Sequence, residues 1–156
     1  MRFSLPKGTE KLNEQQLKNL SHKGFYEKTA SEFHNHVYKK DGLLIYYLNS
    51  SQFPTHPERR RSLESNQKMI VALLSGNSEL KGDVNVVDNS RITTINNIRF
   101  AIVEYHNKGD EYIRFTSDYD KNGGLINGFI EYKMSDEHEA KRYLQDLLQS
   151  MHFIAN

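Results

Sequence analysis

The sequence predicts an α+β fold with a central antiparallel β-sheet, and three observations predict it. First, Val84 to Val87, Ile92 to Ile95, Ile98 to Tyr105, Tyr112 to Ser117 and Leu125 to Lys133 are rich in β-branched and aromatic residues. Second, these segments are separated by short polar turns, Asn96-Asn97, Lys108-Gly109-Asp110 and Asp118 to Gly124. Such turns leave no room for the crossover that parallel strands require, so neighbours must run antiparallel as a meander. Third, Ala140, Tyr143, Leu144, Leu147, Leu148 and Met151 recur at helical spacing and form one apolar stripe. A long C-terminal helix carrying that stripe must pack on one face of the sheet.

The preceding elements follow in order. Phe3 to Leu5 reads as a short first strand closed by Pro6-Lys7-Gly8. Asn13 with Gln16 makes a capping box for a helix running through Leu17 and Leu20 and ending at Gly24. From Glu32 to Asn49 the apolar period changes to two, with Phe33 and Val37, then Leu43, Ile45 and Tyr47, around the hairpin signal Asp41-Gly42. Phe53-Pro54-Thr55-His56-Pro57 breaks the chain. Leu63, Met69, Ile70, Leu73 and Leu74 then give a second helix of about four turns, stopped at Ser75-Gly76-Asn77. The closing helix is expected to be capped by Ser135, with Asp136 and Glu137 in its first turn, where the helix dipole favours negative charge. No internal repeat or linker divides the chain, so residues 1–156 read as a single domain.

Composition excludes whole classes of function. The 156 residues carry Lys+Arg 21 against Asp+Glu 20, a net charge of +1, so the field of a nucleic-acid binder is missing. The absence of Cys removes disulfide frameworks, thiolate zinc sites, iron–sulfur clusters and cysteine nucleophiles. The longest apolar run, Met69 to Leu74, is far short of the roughly 20 residues of a membrane-spanning helix. Met1 to Pro6 has no apolar signal region, which fits either a cytoplasmic chain or an exported one whose signal has been removed. The reading leans to the exported, extracytoplasmic alternative.

Four groups of residues are candidates for function. Asp118, Asp120 and Asn122 place side-chain oxygens at alternate positions, as in the first half of a calcium loop, but the closing position is Phe129. An ordinary polar hairpin turn is the alternative. His34 and His36 put two imidazoles on one side of a strand without a third ligand nearby, so a solvated pair competes with a metal site. Arg59, Arg60 and Arg61 open the second helix and can fork onto phosphate or an acidic partner, or form a solvated face balanced by Glu64. Tyr46 and Tyr47 are adjacent in a strand and point to opposite faces, so one can contribute to an aromatic patch suited to a protein partner. No nucleophile elbow, phosphate-cradling loop or His-Glu-x-x-His motif occurs, so neither a catalytic residue nor a cofactor is expected.

Two stretches carry a family resemblance. The ending Ala140-Lys141-Arg142-Tyr143-Leu144-Gln145-Asp146-Leu147-Leu148-Gln149-Ser150-Met151-His152-Phe153 resembles the last helix and Ser-x-x-Phe close of the PsbP-like superfamily. Phe3-Ser4-Leu5-Pro6-Lys7-Gly8 is similar to its opening. That superfamily includes the photosystem II extrinsic protein, a Ran-binding nuclear import factor and bacterial DcrB-type proteins. The resemblance implies an α/β/α sandwich and a role in binding another protein rather than catalysis, as an envelope accessory protein, adaptor, chaperone or immunity-type protein. It supplies no catalytic motif to carry over. The rival expectation is a small-ligand or metal-binding protein using His34 and His36 or the Asp118 to Asn122 loop.

Overall fold

Alternation of apolar and polar residues builds one sheet. A computed structural model describes residues 3–20, 36–50, 60–76, 85–107, 109–121 and 123–152, with the backbone alone at 47–50 and 76. The strands are β1 (Glu10–Lys11), β2 (Val37–Lys40), β3 (Leu43–Ser50), β4 (Val86–Ile95), β5 (Ile98–Asn107), β6 (Asp110–Ser117) and β7 (Leu125–Tyr132). They form a 7-stranded sheet in the order β1-β2-β3-β7-β6-β5-β4, every adjacent pair antiparallel. The expected meander is the run β4 to β7. The N-terminal hairpin β2-β3 then adds to the free side of β7, so the last strand in sequence lies inside the sheet.

Helices cover both faces. Helix α3 (Glu137–Gln149) buries Ala140, Tyr143, Leu144, Leu147 and Leu148. These pack with Met151 against Leu43, Ile45, Ile98, Phe100, Ile113, Phe115, Ile126 and Ile130. Each large side chain so buried contributes about 1.5–3 kcal/mol before the entropy of ordering is subtracted. On the opposite face, Ile70 and Leu74 of α2 (Leu63–Gly76), with Leu17 and Leu20 of α1 (Glu14–Leu20), meet Val37, Tyr46, Val103, Tyr105, Tyr112 and Phe129. The result is α+β, with an antiparallel sheet between helices.

Local signals explain most boundaries. The Asn13–Gln16 capping box is formed as expected: the Gln16 N–H donates to Asn13 Oδ1 and the Asn13 N–H to Gln16 Oε1, both at 2.9 Å. Asn96 and Asn97 both take positive φ, 51° and 60°, the conformation of a tight turn between right-twisted strands. That turn joins β4 to β5.

Four expectations are corrected. Phe3 to Leu5 is not a strand; this segment is tied instead to the end of α3, where the Ser4 N–H donates to Ser150 Oγ at 3.1 Å. Val84–Val87 and Ile92–Ile95 are not two strands: from Val86 the chain forms the single strand β4, with a bulge between Val87 and Asn89 that absorbs the break in alternation. Arg60 and Arg61 do not open α2, because Ser62 caps it, its Oγ accepting from the Ser65 N–H at 3.2 Å. Ser135 does not cap α3; it lies in a 3-10 turn, Met134–Asp136, and Asp136 takes the cap position without a side-chain bond. Val84, Gly24 and Asn77 lie outside the described residues.

Phe115 is fully buried under α3, whereas Leu73 on α2 is 59% exposed. Phe115→Ala is expected to cost about 3–5 kcal/mol and Leu73→Ala less than about 0.5 kcal/mol, as read by urea unfolding. Similar losses at both positions would contradict the described layering.

Candidate functional site

The face beneath α2 contains more polar groups than the face beneath α3. Alternation along β6 points Tyr112, Arg114 and Thr116 toward α2, and alternation along β7 does the same for Leu125, Asn127, Phe129 and Glu131. Between α2 and the sheet lies a cleft of about 170 Å³. Arg114, Thr116 and Asn127 supply its polar floor, Leu125 and Tyr119 one end, and Asn66, Met69 and Ile70 of α2 the opposing wall. Among the described residues no carboxylate forms an ion pair with Arg114. Deeper on the same face, Tyr46 stacks on Phe129 with centroids 4.3 Å apart, and Tyr105 stacks on Tyr112 at 4.9 Å. Burial, reinforced by the nearby Glu131 carboxylate, pushes the Tyr46 phenol up and keeps it neutral.

The fold brings together two candidates that are distant in sequence. Arg60 reaches over the 118–124 loop, where its Nη1 donates to the Asp120 carbonyl at 3.4 Å and its guanidinium lies 5.7 Å from the Tyr119 ring centroid. The approach is close enough that a Cβ at Gly123 would lie 2.7 Å from Arg60 Nη2, and Gly123 also has φ +83°. The positive φ favours glycine here, and a side chain would also displace the Arg60 guanidinium. Arg61 turns the other way, its Nη1 meeting the Met69 sulfur at the rim of the cleft. Glu64 is held by Arg99 rather than by the arginine run, and that contact lowers its carboxyl pKa.

The loop's carboxylates also have partners. Asp118 accepts from the Tyr119 N–H at 3.0 Å and lies 3.5 Å from the Arg99 guanidinium. Asp120 Oδ1 accepts from the Gly124 N–H at 2.8 Å, which closes the turn. Asp118 therefore serves the turn and the Arg99 guanidinium, and the Asp120 carboxylate closes the turn. Of Tyr46 and Tyr47, one of which was expected to contribute to an exposed aromatic patch, Tyr46 is 2% exposed and belongs to the core. Its neighbours Val37, Phe129 and Tyr112 bury it because its strand lies inside the sheet. The Tyr47 side chain, Arg59, His34 and Asn122 lie outside the described residues, while His36 is half-buried just before β2. Arg114, Thr116 and Asn127 were not singled out by sequence. The signal for Asn127 was a polar residue between the apolar same-face neighbours Leu125 and Phe129; Arg114 and Thr116 adjoin each other on their face and gave no such signal.

No protein-family model and no curated protein matches the chain. Solved structures do. The solution structure of cyanobacterial PsbP (CyanoP) from Synechocystis sp. PCC 6803 superposes with a TM-score of 0.61 at 14% identity, covering 97% of this chain and 85% of that one. A Pseudomonas aeruginosa protein of unknown function, PA94, gives a TM-score of 0.46 at 8% identity, covering 73% and 74% of the two chains. The chain has a PsbP-like fold, as its two ends led one to expect. No described helix is long and apolar enough to cross a membrane.

One histidine titration follows from the geometry. His106 Nδ1 lies 2.9 Å from Asp88 Oδ2, and this hydrogen bond raises the imidazole pKa above its ordinary value of about 6.5. A folded-state pKa above the unfolded one makes the pair's contribution complete below about pH 6.5 and lost as pH rises through the folded value. An NMR titration is expected to find His106 protonating above the ordinary value, and Asp88→Asn to bring it back. An unshifted wild-type titration would contradict the pairing.

Proposed function

We propose that this chain is a non-catalytic protein-binding module whose α2 side receives an acidic, partly apolar segment of another protein. The observation that supports this reading is the cleft floored by Arg114, with Met69 both lining it and 37% exposed at its rim. Its size decides between occupants. At about 170 Å³ it is smaller than the roughly 300–1,000 Å³ of a small-molecule site, and suits a single inserted side chain. A Glu or Asp of the partner entering it meets a guanidinium with Thr116 and Asn127 as further hydrogen-bonding groups. Around that anchor, Met69 and Leu73 offer apolar contact, and Arg61 beside Met69 adds a second cation. A central anchor within an apolar and cationic rim is how binding energy concentrates in protein interfaces.

Such a module fits an exported accessory protein of the bacterial envelope, or a small adaptor, chaperone or immunity-type protein. A photo-crosslinking residue in place of Leu73, introduced in the source cells, tests it. One predominant protein adduct is expected, reduced at least tenfold by Arg114→Ala and by Met69→Asp in variants that keep the wild-type melting temperature. No adduct, or an adduct indifferent to both substitutions, would overturn the reading.

A further inference from the structure

A second constellation lies on the α3 face, near the outer edge of the sheet and away from the cleft. We propose that Asp88, His106 and Glu111 form a binding site for one divalent transition-metal ion of the zinc class. One ligand atom from each residue lies within 4.8 Å of the others. A tetrahedral ion with ligand bonds of about 2.0–2.2 Å holds its ligand atoms about 3.3–3.6 Å apart. Closing the described positions onto one ion takes an inward movement of about 1 Å by rotation of side chains that are exposed or half-buried.

Three strands deliver the three ligands. His106 and Glu111 are directly opposite across the β5-β6 hairpin, two positions from a turn whose register is fixed by the pair Asn107 and Asp110. A directly opposed pair on one face keeps its Cβ atoms about 4.5–5.5 Å apart, so these two ligands are preset by backbone pairing. Asp88 arrives through the β4 bulge: Val87 pairs with Tyr105 and Asn89 with Glu104, leaving Asp88 as the extra residue, its carboxylate on His106. A bulge re-aims a side chain that regular pairing would place elsewhere. Here the re-aimed side chain is the third ligand.

The donor set determines the ion. One imidazole nitrogen with two carboxylate oxygens, leaving coordination open toward solvent, suits zinc and neighbouring first-row ions. Calcium takes six to eight oxygens, which this trio does not supply. The surroundings favour a cation. No described lysine or arginine forms an ion pair with Asp88 or Glu111, whereas the nearby Glu104 is neutralised by Arg91 and Lys141. The Tyr132 phenol beside them is pushed up by burial first, and then by the charges of Glu111, Glu137, Glu104 and Asp88. An ion bound there would clip the edge strand β4 to the β5-β6 hairpin.

Calorimetric titration of untagged protein with zinc chloride, alongside thermal melts, tests the site. Wild-type protein is expected to bind one equivalent saturably, with a melting temperature that rises with zinc concentration. His106→Ala and Glu111→Gln should each weaken binding at least tenfold, while His36→Ala leaves it unchanged. Should either ligand variant fail to fold without metal, chemical-shift perturbation of wild-type His106 by substoichiometric zinc gives the same answer. Absence of saturable binding, binding that survives both ligand variants, loss with His36→Ala alone, or calcium binding as tightly as zinc would each overturn the proposal.

Discussion

The structure depends on the burial of β7 from both sides. Ile126, Ile130 and Tyr132 face α3, Leu125, Phe129 and Glu131 face α2, and all six are at most 5% exposed. No other strand occupies that position, because only β7 has the meander on one side and the N-terminal hairpin on the other. Pairing from Leu44 opposite Glu131 to Ser50 opposite Leu125 therefore joins the two halves of the chain. Contacts so distant in sequence are costly to nucleate, and the apolar surface β7 buries is what offsets that cost.

The two faces of the sheet are built differently, and the difference locates function. Under α3 the core is aliphatic and aromatic, sealed at its end by Met151 and by Ser150 holding the Ser4 segment. Beneath α2 the sheet presents Arg114, Thr116, Asn127 and Glu131 among its aromatic residues. Polar groups on a covered face are unfavourable without partners, and Arg114, Thr116 and Asn127 line the cleft between α2 and the sheet. The cation in its floor makes that side suitable for an acidic guest. The α3 face carries Asp88, His106 and Glu111 at its margin, where β4 bulges and the hairpin of β5 and β6 ends.

Much of the fold was legible because its signals are local. The stripe on α3 needs only helical period, the Asn13–Gln16 box only two side chains, and the Asn96-Asn97 turn only residues that tolerate positive φ. Among the misread elements, one reflects a tertiary contact overriding a local preference and another a cap displaced by one residue. Phe3 to Leu5 has strand-like composition but finds Ser150 before it finds a strand, and Ser135 yields the cap of α3 to Asp136 as the chain leaves β7. The arginine run and the Asp118 loop were each legible as candidates, but their meeting through Arg60 was not, since nothing in spacing relates them.

By itself the sequence determined the element types, the antiparallel character of the C-terminal half, and the apolar surface that α3 must cover, because each is set by period and turn chemistry within a few residues. Tertiary structure alone decided that β3 would pair with β7, that Tyr46 would be core rather than surface, and that Arg114 would floor a cleft. It also decided that Asp88 would meet the facing pair His106 and Glu111. These outcomes turn on which strand neighbours which and on a one-residue bulge, and a one-residue change of register moves a side chain to the other face of a sheet. Period reveals that a residue lies on a face; only the assembled sheet determines what that face meets.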